Sequence, residues 1–136
     1  MPMSADRADA TLEDALRGTA TPYVWLHTDD PGPEGVDNVM QTPGEDDVVR
    51  KAVAFHAPEA HPENAERRCL ADAYVEWTAA EAEPGQFITH ASLWSDATGG
   101  QPEFIRAIGA EPTPAVGEDG IRIPEGDLEV AITVYV

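Results

Sequence analysis

The final nine residues, LEVAITVYV (128–136), alternate without a break. Leu128, Val130, Ile132, Val134 and Val136 fall on one side of an extended chain, and Glu129, Ala131, Thr133 and Tyr135 on the other. Successive strand side chains point to opposite faces, so this pattern describes a strand with one face in a core and one toward solvent. It commits the chain to a sheet, and the upstream sequence supplies partners. Aromatic and β-branched runs predict strands at 22–28 (PYVWLHT), 48–56 (VVRKAVAFH), 70–78 (LADAYVEWT), 86–95 (QFITHASLWS), 103–110 (EFIRAIGA) and 121–123 (IRI). In the second of these Val49, Val53 and Phe55 share a face, and in the third Ala73, Val75 and Trp77 do. DATGG (96–100), GEDG (117–120) and PEGD (124–127) are turn signals. Residues 29–47 and 57–69, dense in Pro, Asp and Glu, read as long loops. The only helical period is at 8–17, where Leu12, Ala15 and Leu16 stand at i, i+3 and i+4 before a C-cap candidate, Gly18. No helical crossover separates the later strands, which favours antiparallel pairing. The expected fold is all-β: an antiparallel β-sandwich or jelly-roll-like barrel of about seven to eight strands. Its expected domains are an N-terminal arm and short helix over 1–18 and a single β-domain over 19–136.

Charge limits the function classes. Against 26 Asp and Glu stand only 8 Lys and Arg, a formal net charge of −18. Binding a nucleic-acid backbone requires clustered cations that release counterions, and an anionic membrane repels the same surface, so neither is an expected partner. No apolar run approaches the roughly 20 residues of a membrane-spanning helix. The first residues lack the apolar stretch of a secretory signal, so none is expected. Apolar residues make up 42% of the chain, too many for disorder. The acids are interleaved with apolar residues in every segment. That leaves two explanations: a chain working in concentrated salt, where charges are screened within about 3 Å at 1 M, or an acidic surface facing a basic partner. A single lysine, Lys51, favours the first.

No catalytic constellation emerges. His27 precedes Thr28, Asp29 and Asp30 but matches no ligand spacing, and is expected to end its strand bonded to loop backbone. His56 and His61 sit at loop edges. DDPGPEGVDN places Asp29, Asp30 and Asp37 close together with Glu34 and Asn38. Oxygen ligands at that spacing invite calcium, but the EF-hand order is missing, and a solvated loop of Asx-type turns is the other reading. Cys69 follows Arg67 and Arg68 without a base at motif spacing, and as a lone thiol it makes no internal disulfide or thiolate zinc site. ASLWS is not the GxSxG of a nucleophile elbow, and Gly99–Gly100 lacks the residues of a phosphate loop. No cofactor is expected. The 86–95 strand is apolar on both faces, as a strand at a subunit interface would be. Trp94, Ile88, His90 and Leu93, with Trp25, are therefore the expected self-association interface. Core or inter-subunit packing is favoured over a glycan platform for Trp25, Trp77 and Trp94.

The segments have a family likeness. TPYVWLHTDDPGPEG (21–35), VVRKAVAFHAP (48–58), ITHASLWSDATGG (88–100) and GEDGIRIPEGDLEVAITVYV (117–136) resemble, in order and spacing, small structural proteins of tailed viruses. These carry LHTxDPG and THxxLWSxATGG elements, occur in haloarchaeal viruses too, and are described as tail-fibre-like, minor tail or capsid decoration proteins. The resemblance implies a non-enzymatic virion protein that self-associates and decorates the capsid, as a turret or head fibre, or the tail. Its implied partners are further copies of itself and the major capsid or tail proteins. The arm 1–18 would dock on a neighbouring subunit. The alternative is a receptor- or carbohydrate-binding module at a tail tip, using exposed Trp25 or Trp77 and a calcium-assisted Asp-rich loop.

Overall fold

The computed structural model describes residues 3–18, 21–107 and 114–134. One helix, α1 (Ala5–Arg17), precedes the strands β1 (Tyr23–His27), β2 (Lys51–Ala52), β3 (Glu59–Ala60), β4 (Glu66–Leu70), β5 (Val75–Trp77), β6 (His90–Trp94), β7 (Pro102–Ala107), β8 (Ile121–Ile123) and β9 (Glu129–Thr133). They form a four-stranded sheet ordered β2-β1-β6-β7, a three-stranded sheet ordered β3-β4-β9 and a β5-β8 pair. Every ladder is antiparallel. The fold is the all-β sandwich that the alternating strands predict.

The helix forms where its ends are satisfied. The Ser4 side chain accepts the Arg7 N–H as an N-cap, Asp6 lies in the first turn and Arg17 in the last, each complementing the helix dipole. Ala8, Leu12 and Leu16 line one buried stripe. Burying each leucine contributes about 2 kcal/mol. The stripe lies on β4 and β9. A two-pronged Arg67–Asp9 pair and a 2.8 Å bond from Arg17 to the Phe55 carbonyl fasten the helix there. The apolar face of the helix is thus occupied by the chain's own core.

Several strand expectations are redrawn. Of 48–56, only Lys51–Ala52 pairs in a ladder. Val48, Val53 and Phe55 are buried, while Val49 is 62% exposed. The main chain is held there by side chains instead: the carbonyls of Val48 and Val49 accept the indole N–H groups of Trp25 and Trp77. The expected loop at 57–69 contains β3 and β4. The polar run ERRCL hides this strand, because Arg67 pairs with Asp9 on one face and Arg68 with Glu59 and Glu129 on the other. Ala73 is exposed and the ladder of 70–78 begins only at Val75. Residues 86–88 exchange backbone bonds with 114–116 before β6 starts at His90. Tyr135, Val136 and residues 108–110 lie outside the described residues.

The core runs between these layers and includes Leu12, Leu16, Val24, Leu26, Trp77, Ile88, Leu93 and Val130. Among the described residues no Asp or Glu is buried. Gly120 shows how closely the chain beside the paired strands β5 and β8 approaches. Its φ is +94°, and a Cβ there would overlap the Trp77 carbonyl oxygen and come within 2.7 Å of the Thr78 carbonyl carbon. Gly85 has the same φ of +94° with nothing within 4 Å of a Cβ. Both substitutions to alanine carry the same left-handed strain, so their difference isolates the steric overlap. Chemical denaturation of the two variants is expected to show Gly85→Ala losing about 1 kcal/mol and Gly120→Ala losing several times more. Equal losses would contradict the close approach.

Candidate functional site

The neighbouring strands β1 and β6 share a register that sets Tyr23 opposite Trp94, Trp25 opposite Ser92 and His27 opposite His90. Alternation places these six on one face, while Val24, Leu26, Ala91 and Leu93 face the core from the other. The first face is not bare. The 29–50 segment folds back over it, with Pro31, Gly35, Val39 and Met40 buried.

Under that cover runs a chain of hydrogen bonds. Trp94 Nε1 donates to Ser92 Oγ at 2.8 Å, Ser92 Oγ and His27 Nε2 are 2.7 Å apart, and His27 Nδ1 lies 2.9 Å from the Asp37 carbonyl. A carbonyl only accepts, so Nδ1 carries the imidazole proton, Nε2 accepts, and the Ser92 hydroxyl donates to it. His27 and Ser92 are each fully buried. Burial disfavours the imidazolium and pulls the His27 pKa below its ordinary 6.5, against the weaker opposing pull of the Asp37 carbonyl. The serine–histidine distance is that of a nucleophile and its base. Yet the hydroxyl has no exposed surface and already accepts the indole N–H. The network fastens loop to sheet and admits no substrate.

Beside it, Arg50 lies between two indoles, its guanidinium 4.4 Å from the Trp25 ring centroid and 3.6 Å from that of Trp94. The rings meet edge to face at 5.7 Å. Such stacking holds a guanidinium by cation–π attraction while its edge stays free to donate. Arg50 Nη1 accordingly donates to the carbonyls of Asp96 and Gly99 at 2.9 and 2.8 Å, clasping the DATGG turn. Arg50 Nε, buried in the stack, has no partner. Gly35 completes the packing: a Cβ there would lie 3.2 Å from Trp94 Cζ2 and from Pro102 Cγ.

The residues expected at an interface differ in their exposure within the single chain. Trp94, Ile88 and Leu93 are 1%, 0% and 3% exposed within the single chain. Their two-sided burial is supplied within the single chain by its own core and loops. Trp25 is half-buried beneath Arg50, and half-buried His90 bonds Thr89 through Nδ1. Trp77 is fully buried and donates to the Val49 carbonyl, so it offers no platform to a glycan. Asp29 and Asp30 form local turns, accepting the N–H groups of Asp30 and Gly32 at 2.8 Å. Among the described residues, the groups of His and carboxylates close enough to share a metal ion do not include Asp29, Asp30 or Asp37. Cys69 is buried, and desolvation pushes its thiol up to about 11, away from nucleophilic use. Arg50 is absent from the sequence-based candidates, and Ser92 enters them only through ASLWS, which is not a nucleophile elbow. The available signal was a polar residue repeated on each side of an apolar strand pattern.

A family model described as Podophage GP4 fiber I protein gp80 matches residues 2–131. The chain belongs to that family. It is a fibre-type structural protein of tailed viruses and a component of the virion. A search of curated proteins finds no match. The gp80-family match spans every residue of the network and clamp, from Trp25 to Gly99.

The network makes a signed prediction for pH. Unfolded His27 titrates near 6.5 and the folded residue below it. Its contribution is therefore fully present above about 6.5 and is lost as pH falls from there through the folded value, since the unfolded chain takes the proton first. Urea denaturation is expected to give a lower midpoint at pH 5 than at pH 7.5. His27→Gln should cost about 1–3 kcal/mol at pH 7.5 and flatten that pH slope; an unchanged slope would assign it to other groups.

Proposed function

We propose that this gp80-family chain is a non-enzymatic building block of a fibre carried on the tail, assembling with copies of itself and with neighbouring virion proteins. One observation carries the reading. The chemistry-bearing residues of the LHT, RKAVAF and LWSDATGG segments converge on a sealed node that pins two surface loops to the central strands. A node of this kind fixes shape, which suits a part that works by binding. Self-contact then uses other surfaces, for which the exposed apolar residues Val36, Val49, Tyr74 and Phe87 are available. Light scattering on the purified chain is expected to return a multiple of its 14.6 kDa mass. A monomer at every concentration would remove self-association. Gold-labelled antibody against the chain should mark the tails of particles; label confined to the heads would make it a capsid decoration.

The acid excess supports an exterior exposed to concentrated salt. All the described acids are at least partly exposed, and the ion pairs of Arg17, Lys51, Arg67, Arg68 and Arg122 neutralise only a minority of the acids. Unscreened repulsion between the remainder opposes the compact state. The melting temperature is expected to rise from low salt to molar sodium chloride. A flat profile would make the composition incidental to the medium.

A further inference from the structure

Three side chains from separate segments converge at the surface beside the bridge between Phe55 and Ala71. His56 Nε2 lies 3.4 Å from Asp72 Oδ1 and 3.4 Å from Glu125 Oε1, and ligand atoms of the three all lie within 4.8 Å of one another. Main-chain bonds hold each residue in place. His56 N donates to the Leu70 carbonyl at 2.9 Å and Asp72 N to that of Ala54 at 2.8 Å, on either side of the Phe55–Ala71 bridge. Gly126 N donates to the Ala71 carbonyl at 3.1 Å, and Asp127 N to that of Pro124 at 3.1 Å, which anchors the turn carrying Glu125. The convergence therefore requires no rearrangement of the backbone.

The spacing has a chemical meaning. A tetrahedral cation bound at about 2.1 Å separates its ligand atoms by about 3.4 Å. Both histidine–carboxylate distances have that value. Among the described residues no Arg or Lys forms an ion pair with Asp72 or Glu125, so His56 alone stands between two carboxylates. The other gathering of such groups, His61, Glu66 and Glu129, is differently disposed. There His61 Nδ1 accepts the N–H groups of Glu63 and Asn64, Glu66 accepts from Asn64, and Glu129 accepts from Arg68. Each of its residues already has one atom bonded outside the group, whereas the bonds of the first group's side chains run among themselves.

We propose that His56, Asp72 and Glu125 form a surface site for a divalent transition cation of the zinc class. One imidazole nitrogen and two carboxylate oxygens bind it, and the fourth position stays open to water. The nitrogen ligand selects this class over calcium and magnesium, which take oxygen. Bound there, the ion links the 54–56, 70–72 and 124–127 segments and neutralises two acids of a strongly anionic surface.

The test is calorimetric titration of the untagged, full-length chain with zinc chloride, in millimolar magnesium to occupy the general acidic surface. One saturable zinc per chain is expected, with a rise in melting temperature. His56→Gln and Asp72→Asn should each weaken binding at least about tenfold, while His61→Gln should match the unsubstituted chain. All three positions are partly exposed, so the variants should fold, as metal-free melting curves will show. If one melts early, Glu125→Gln, on a surface turn, decides in its place. No saturable zinc above the magnesium background would overturn the site. So would a titration unchanged by His56→Gln, or one that His61→Gln abolishes and His56→Gln does not.

Discussion

The fold depends on how one polar face of a central sheet is kept away from water. Ser92 and His27 sit fully buried on neighbouring strands, and an unbonded polar group in that position would cost about 1–3 kcal/mol. The Trp94–Ser92–His27–Asp37 relay satisfies every hydrogen-bonding atom in turn and ends on a carbonyl of the covering loop. The loop is therefore part of the solution: without the Asp37 carbonyl, the His27 proton has no acceptor. This gives the 29–50 segment a defined path despite its proline, glycine and aspartate content. Arg50 does the same for the DATGG turn, held close to the rings of two indoles and donating to the Asp96 and Gly99 carbonyls.

The same logic accounts for a stable chain with so many acids. Arginines are placed where their planar donors span elements: Arg67 joins β4 to the helix, Arg68 joins β3, β4 and β9, Arg122 joins β8 to β5, and Arg106 reaches from β7 to the Ala131 carbonyl of β9. Lysine is a point charge and makes such two-pronged or stacked contacts poorly. With few cations available, these are set at junctions, and the described acids are all at least partly exposed.

Parts of this were legible in the sequence. The 3.6-residue period of Leu12 and Leu16 marked the helix, the LHT and HASLW runs marked the two central strands, and the turn signals at DATGG and GEDG fall where chain direction reverses. β4 was not legible, because ERRCL reads as polar until its arginines are given their partners. Alternation puts Val49 on one face with Val53 and Phe55, but the chain there is held by indole N–H groups rather than by a ladder, so strand alternation does not apply and Val49 is exposed while the other two are buried. The burial of strand 86–95 on both faces was readable from its residues, whereas its cover was not. A loop of the same chain and a second subunit leave the same apolar signature.

By itself, the sequence determined class and charge: an antiparallel β-protein with one short helix, an anionic exterior, and a likeness to structural proteins of tailed viruses. Those properties are local or additive, set by period, turn chemistry and summed charge. Tertiary structure decided which residues meet. Trp25, Arg50 and Trp94 lie far apart along the chain, as do His27 and Ser92, or His56, Asp72 and Glu125. Their contacts depend on strand register and on where a loop folds back. Burial then sets what their chemistry is worth, turning a serine–histidine pair into a fastener and leaving a surface histidine between two carboxylates.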